Sequence, residues 1–109
     1  MFAAESDSLA VVTSSEELKQ VLKSREDDSK LIAGLLGTEG SHALDGDLDN
    51  IKRLYDAGFR MMSLQHFFDN KLGGSLHGES NTGLTDFGRE AVRLMDSMGI
   101  MIDISHSSP

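Results

Sequence analysis

Short, continuously apolar runs alternate along this chain with stretches whose apolar residues recur at helical spacing. "LAVV", Leu9 to Val12, is a short apolar run with two valines and predicts a strand. Ser14 and Glu17 follow at the spacing of a capping box, in which each side chain satisfies a free backbone N–H at a helix start. Leu18, Val21 and Leu22 then recur at helical intervals, so a helix is expected over about 15–25. "EDDSK" is a polar connection. "LIAGLLG", Leu31 to Gly37, is apolar at every position, the pattern of a strand covered on both faces in a parallel sheet.

The rhythm continues in "LDGDLDNIKRLYDAG", where Leu48, Ile51, Leu54 and Tyr55 share one helical face. Acids crowd its N-terminal end, and Gly58 stands where the helix should stop. "FRMMSLQH" predicts a third strand ending at His66. "FFDNKLGGSLHGESNTG" reads as a long polar loop. In "LTDFGREAVRLMDSMG", Phe87, Ala91, Leu94, Met95 and Met98 form one stripe, with Thr85 as the cap and Gly99 as the stop. "IMIDISH" predicts the fourth strand. The order β-α-β-α-β-loop-α-β implies an α/β fold of about four parallel strands joined by right-handed crossovers.

Composition narrows the partners. The 109 residues suffice for one small domain, and 39% hydrophobic with 26% charged residues is a globular, soluble balance. A net charge of −8 argues against nucleic acid and against anionic lipid, both of which need clustered Lys and Arg. There are no cysteines, which removes disulfides and Cys-based zinc sites. No apolar stretch approaches the roughly 20 residues of a membrane span. "MFAAESDSLA" has no basic segment leading into an apolar one, so no signal peptide is expected, and the cytoplasm is the expected compartment.

Candidate chemistry lies at strand ends. Glu39, His66 and His106 each follow an expected strand, and in a parallel α/β sheet or barrel all C-terminal strand ends open on one face. One carboxylate and two imidazoles converging there suit Zn²⁺ or a similar cation. Each residue also has a structural reading. Glu39 can open a turn, His66 can be a satisfied strand-end histidine, and His106 can pair with Asp103. His42 reads as a loop or cap residue, His77 as solvated loop, and the methionines as core. The acids of "DGDLD" lack the spacing of a calcium loop. Neither a glycine-rich phosphate loop nor a nucleophile elbow is present.

The stretches "TEGSHALDGDLDNIKRLYDAGFRMMSLQHFFDN" and "GLTDFGREAVRLMDSMGIMIDISHSSP" resemble the membrane (renal-type) dipeptidase family, most clearly over residues 31–109. Four spaced motifs appear in order: Glu-Gly-x-His, Leu-x-His-x-x-x-Asn, Gly-Leu-Thr-x-x-Gly, and Asp-hydrophobic-Ser-His-Ser. The resemblance implies a partial (β/α)8 TIM-type barrel and zinc-dependent hydrolysis of dipeptides by a metal-activated water, with D-residue or β-lactam-like amides as further substrates. It implies Glu39 as the carboxylate bridging two zinc ions and His106 as a terminal ligand. It implies His66 as the histidine that binds substrate and stabilises the tetrahedral intermediate. His42 and Asp103 would support these from outside the ligand set. It also leaves room for a homodimer in the complete enzyme.

The chain departs from the family in one motif. No His-x-Asp occurs, although the family carries one on its first barrel strand. A further histidine ligand, a substrate-binding Arg and an Asp would lie past Pro109. With two metal ligands and well under half of the roughly 250 residues of a barrel, the chain is expected to be one piece of a single barrel domain, inactive and poorly stable alone. Two other readings compete with the enzyme. One is a stand-alone α/β binding or signalling module of flavodoxin-like form, against which stands the lack of paired acids at the first strand end. The other is a degenerate relative that keeps part of the site as scaffold.

Overall fold

The computed structural model describes residues 8–109. The first seven residues, on which most of the signal-peptide reading falls, lie outside the described part. Backbone contacts divide the chain into two units, one ending at Leu36 and the other spanning Gly37–Pro109. Among the described residues, no helix is long and apolar enough to cross a membrane.

In the first unit, β1 (Leu9–Val11) pairs in parallel with β2 (Ile32–Gly34), Leu9 opposite Ile32 and Val11 opposite Gly34. The helix α1 (Ser15–Ser24) connects them. Ser14 caps it as predicted, its hydroxyl accepting the Glu17 N–H at 3.1 Å. The return contact lands one residue earlier than a capping box requires: the Glu17 carboxylate accepts from the N–H of Thr13 at 2.6 Å and from its hydroxyl at 3.0 Å. No residue of α1 is buried.

The expected strand over 31–37 is two strands. β2 ends at Gly34, and β3 (Leu36–Thr38) begins after Leu35. The run serves two ladders, β2 on β1 and β3 on β4, and the backbone changes partner between them. Nor is it covered on both faces here, since Ile32 and Leu35 are exposed. The described strands number five short ones in two sheets, because the run expected as one strand is split in two.

The second unit holds the core. Its sheet has the order β3-β4-β5, with β4 (Phe59–Ser63) parallel to β5 (Met101–Asp103) and Ser63 opposite Asp103. The helices α2 (Asp49–Asp56) and α3 (Asp86–Ser97) fall where the periodicity placed them. Ile51, Ala91 and Met95 carry no exposed surface and join Leu44, Met62, Leu64, Leu72 and Ile100 in one cluster. The predicted partners Leu48, Leu54, Tyr55, Phe87, Leu94 and Met98 pack against it, half-buried. Gly88 is fixed by a close approach, because a Cβ there would stand 1.9 Å from the Leu72 carbonyl oxygen. The Thr85 hydroxyl caps α3 by accepting the Gly88 N–H at 3.0 Å, and donates to the Lys71 carbonyl at 2.6 Å.

β4 and β5 stop before the histidines that were expected to end them. Past Ser63 and Asp103, side chains take over backbone groups that a ladder would use. Asn70 Nδ2 donates to the Leu64 carbonyl at 2.7 Å, and the Asp103 carboxylate accepts the Ser105 N–H at 2.8 Å. The architecture is α/β with parallel strands and intervening helices.

Candidate metal centre

Three polypeptide segments that leave β3, β4 and β5 bring Glu39, His66 and His106 together. His66 Nε2 lies 3.3 Å from Glu39 Oε1, and His106 Nε2 lies 3.9 Å from the same oxygen. One donor atom from each of the three residues lies within 4.8 Å of the others. The imidazoles are 30% exposed and the carboxylate 70%, so the group opens to solvent while its backbone is anchored below.

The anchoring comes from buried polar groups. Ser63 Oγ accepts the Gly40 N–H at 2.6 Å and donates to the Gln65 carbonyl at 3.0 Å. Ser41 Oγ donates to the Ser63 carbonyl at 2.7 Å. These bonds tie the segment bearing Glu39 to the end of β4. The Ser75 hydroxyl donates to the His66 carbonyl, and the Leu76 N–H donates to the His106 carbonyl at 2.7 Å. Gln65 Oε1 accepts the Ser107 hydroxyl at 2.7 Å. Ser41, Ser63, Gln65 and Ser75 are the buried polar residues among the described ones: Ser41 stands two residues from Glu39, Gln65 next to His66, Ser75 bonds to His66, and Ser63 bonds to Gly40, the neighbour of Glu39. A buried polar group is stable only when paired, and here the pairing fixes strand ends to one another.

His106 sits at φ 64, a left-handed conformation that costs a non-glycine residue about 1–3 kcal/mol. It persists because both neighbours are held. Ser105 bonds back to Asp103 through its amide and its hydroxyl, and Ser107 bonds to Gln65. The Ser105 hydroxyl and amide, with a smaller contribution from the His106 charge, hold the Asp103 carboxyl below its ordinary value against the opposing effect of burial.

The long loop after His66 is ordered rather than merely polar. Asp69 accepts backbone N–H groups from Ser75 at 2.8 Å, Ser80 at 2.9 Å and Glu79 at 3.1 Å, which holds its carboxyl below the ordinary range. Gly78 makes room for that carboxylate, since a Cβ there would fall 1.9 Å from Asp69 Oδ1. Phe67 stacks on the His66 ring with centroids 4.1 Å apart, and His77 approaches both Phe67 (5.5 Å) and His106 (5.6 Å). His77 is exposed, as a solvated loop residue would be, and its ring borders the histidine cluster. His42 is exposed on a 3-10 turn, its Nδ1 beside Gly40, and lines a shallow hollow with Asp45 and Lys71. Neither His42 nor Asp103 is among the converging donors.

Sequence reading missed Ser63, Gln65, Asp69 and Ser75. One signal was available for the first two: they are polar at alternate positions of an otherwise apolar strand tail, which puts both on one face. Asp69 and Ser75 offered none, because their partners are backbone groups set by the loop's path.

The donor set fits a divalent cation of zinc type. Two ligands of one tetrahedral zinc at about 2.0–2.2 Å stand roughly 3.4 Å apart, close to the His66–Glu39 separation of 3.3 Å. By distance His66 is as well placed to be a ligand as His106.

A family model described as membrane dipeptidase (peptidase family M19) matches residues 1–109. Among curated proteins, an uncharacterized dipeptidase of Schizosaccharomyces pombe is 35% identical over 80 residues, covering 72% of this chain and 20% of its own length. Dipeptidase 3 of Mus musculus is 34% identical over 106 residues, covering 92% of this chain and 20% of its own. The chain therefore spans about a fifth of the length of these relatives. Among solved structures, an amidohydrolase from Pseudomonas aeruginosa superposes with a TM-score of 0.82 at 25% identity, over 96% of this chain and 30% of that one. A metallo peptidase from Rhodobacter sphaeroides, liganded with a phosphinate mimic of the dipeptide L-Ala-D-Ala, gives 0.78 at 24% identity over 96% and 30%. At that identity the likeness is one of fold.

Proposed function

This chain belongs to the membrane dipeptidase family, peptidase family M19, and from that premise we propose that Glu39, His66 and His106 form part of the active site of a zinc-dependent dipeptidase. The observation that carries the reading is the convergence of one carboxylate and two imidazoles within 4.8 Å at the ends of three neighbouring strands. The phosphinate dipeptide mimic held by the R. sphaeroides protein supports dipeptides as the substrate class.

Glu39 and His106 would hold the metal, and Glu39, with two oxygens and 70% exposure, can serve two cations at once. When bound, zinc supplies Lewis acidity that lowers the pKa of an attacking water and polarises the peptide carbonyl. His66 contributes the protein's own chemistry. Its backbone carbonyl is pinned by Ser75, its ring is stacked on Phe67, and its Nε2 lies 3.3 Å from the Glu39 carboxylate. A ring held in this way would offer an Nε2–H, released from the carboxylate once Glu39 holds the metal, as a donor for the negative charge that develops on the scissile carbonyl oxygen.

The test compares His106→Ala with His66→Ala in the complete gene product, reading metal content and dipeptide hydrolysis separately. His106→Ala is expected to lose zinc affinity by at least tenfold. His66→Ala is expected to keep its zinc while kcat falls by about 10²–10³, the size of a lost oxyanion donor. Equal zinc loss in both variants makes His66 a ligand instead. A wild-type protein that neither retains zinc nor cleaves dipeptides overturns the whole reading. The isolated 109-residue chain is expected to show no turnover, because three donors alone do not complete a two-metal site.

A further inference from the structure

We infer that Gln65 is a positioning residue: through Ser107 it sets where His106 stands relative to Glu39. The inference rests on the metal-site reading above for its consequence, and on the following geometry for its cause.

Gln65 is 1% exposed, which is unusual for a long polar side chain and demands that its amide be satisfied. Its two ends meet different segments. Oε1 accepts the Ser107 hydroxyl at 2.7 Å, while Nε2 points at Asn70 Oδ1 at 3.4 Å. Asn70 is itself immobilised, donating to the Leu64 carbonyl at 2.7 Å and accepting the Leu72 N–H at 2.8 Å. One end of Gln65 is thus fixed to the loop behind β4, and the other grips the residue next to His106.

The grip matters because His106 holds a left-handed backbone that it would leave if its neighbours were released. Ser107 is held on three sides: its N–H donates to the Ile104 carbonyl at 3.2 Å, it bridges to Ser75, and its hydroxyl goes to Gln65. Of these three, the Gln65 bond is the side-chain tie across to the segment that bears His66. Gln65 also precedes His66 directly, and its carbonyl receives Ser63, which holds Gly40 beside Glu39. One buried residue therefore stands at the junction of the three segments that bear Glu39, His66 and His106.

The experiment uses Gln65→Ala, Gln65→Glu, Ser107→Ala and the double variant Gln65→Ala/Ser107→Ala in the complete gene product. The first measurement needs no metal: the ring resonances of the histidines in the metal-free protein by NMR. In Gln65→Ala and Ser107→Ala the His106 resonances are expected to shift and broaden, whereas those of His42 stay in place. Gln65→Glu keeps an acceptor for Ser107 and is expected to restore the His106 signals. The second measurement is cobalt(II) binding by chelator competition and visible absorption. Gln65→Ala and Ser107→Ala should each weaken affinity about 10- to 100-fold and alter the cobalt spectrum, as loss of a ligand-orienting partner does. The double variant should be no weaker than the worse single one. Unchanged His106 resonances in a folded Gln65→Ala or Ser107→Ala protein overturn the inference, as do effects that add in the double variant. A wild-type protein that takes up no cobalt sinks the metal reading instead, and the resonances still decide whether Gln65 positions His106.

Discussion

The unit ending at Leu36 and the unit beginning at Gly37 are built from the same kind of pieces, parallel strands and amphipathic helices, yet among the described residues the second encloses a core cluster while the first buries only Val12. In the first, Leu22 is 53% exposed and Ile32 55%, and no residue of α1 is buried. In the second, Ile51, Met62, Ala91 and Met95 are fully enclosed in one cluster. The difference is one of coverage. Two strands and one helix offer each apolar face at most one partner, whereas three strands with two helices close around a core. The candidate ligands all stand on the closed unit, where a packed base can hold strand ends in fixed relation.

The comparison is broken most directly at its core. Met95→Ala should cost about 2–5 kcal/mol in urea unfolding, as truncation of a buried side chain does. Leu22→Ala should cost about 0.5 kcal/mol or less. Equal costs would show that the apolar face of α1 is covered in solution and that the contrast is only apparent.

A smaller effect, confined to one loop, should follow from Asp69. Its carboxyl titrates below the ordinary value of 3.8 because three backbone N–H groups bond the charged form. A lowered folded pKa stabilises the loop fully above about pH 4, and that stabilisation is lost as pH falls through the lowered value. Amide exchange at Ser75, Glu79 and Ser80 should therefore speed up in acid beyond its intrinsic rate. Asp69→Asn should exchange faster at neutral pH and lose the acid dependence. A wild-type-like profile in that variant would assign the loop's order to something other than the carboxylate.

The helix caps sharpen the contrast at the scale of about 1 kcal/mol. Ser14 and Thr85 both accept an N–H three residues on. Thr85 also donates to the Lys71 carbonyl, joining α3 to the preceding loop. Thr85→Ala should therefore lower the unfolding midpoint more than Ser14→Ala. The reverse order would mean that the link to Lys71 contributes nothing.

Much of the fold was legible before any coordinates. The stripe Phe87–Met98, the caps Ser14 and Thr85, and the stops at Gly58 and Gly99 rest on local periodicity and on backbone groups a few residues away, and all were found where expected. The run 31–37 was misread because apolarity says that a segment wants cover without saying how many ladders it will join. The ring contacts of His77 with Phe67 and His106 went unread because nothing local announces them.

The sequence by itself determined the α/β order and the residue types at the strand ends, since both follow from short-range pattern and from which side chains carry lone pairs. Only the tertiary structure decided that Glu39, His66 and His106 share one point in space, that His66 approaches the carboxylate more closely than His106 does, and that Gln65 stands between their segments. Those distances come from parallel registry and from hydrogen bonds spanning tens of residues. Such bonds form only once the chain has closed around its core, so no local pattern encodes them.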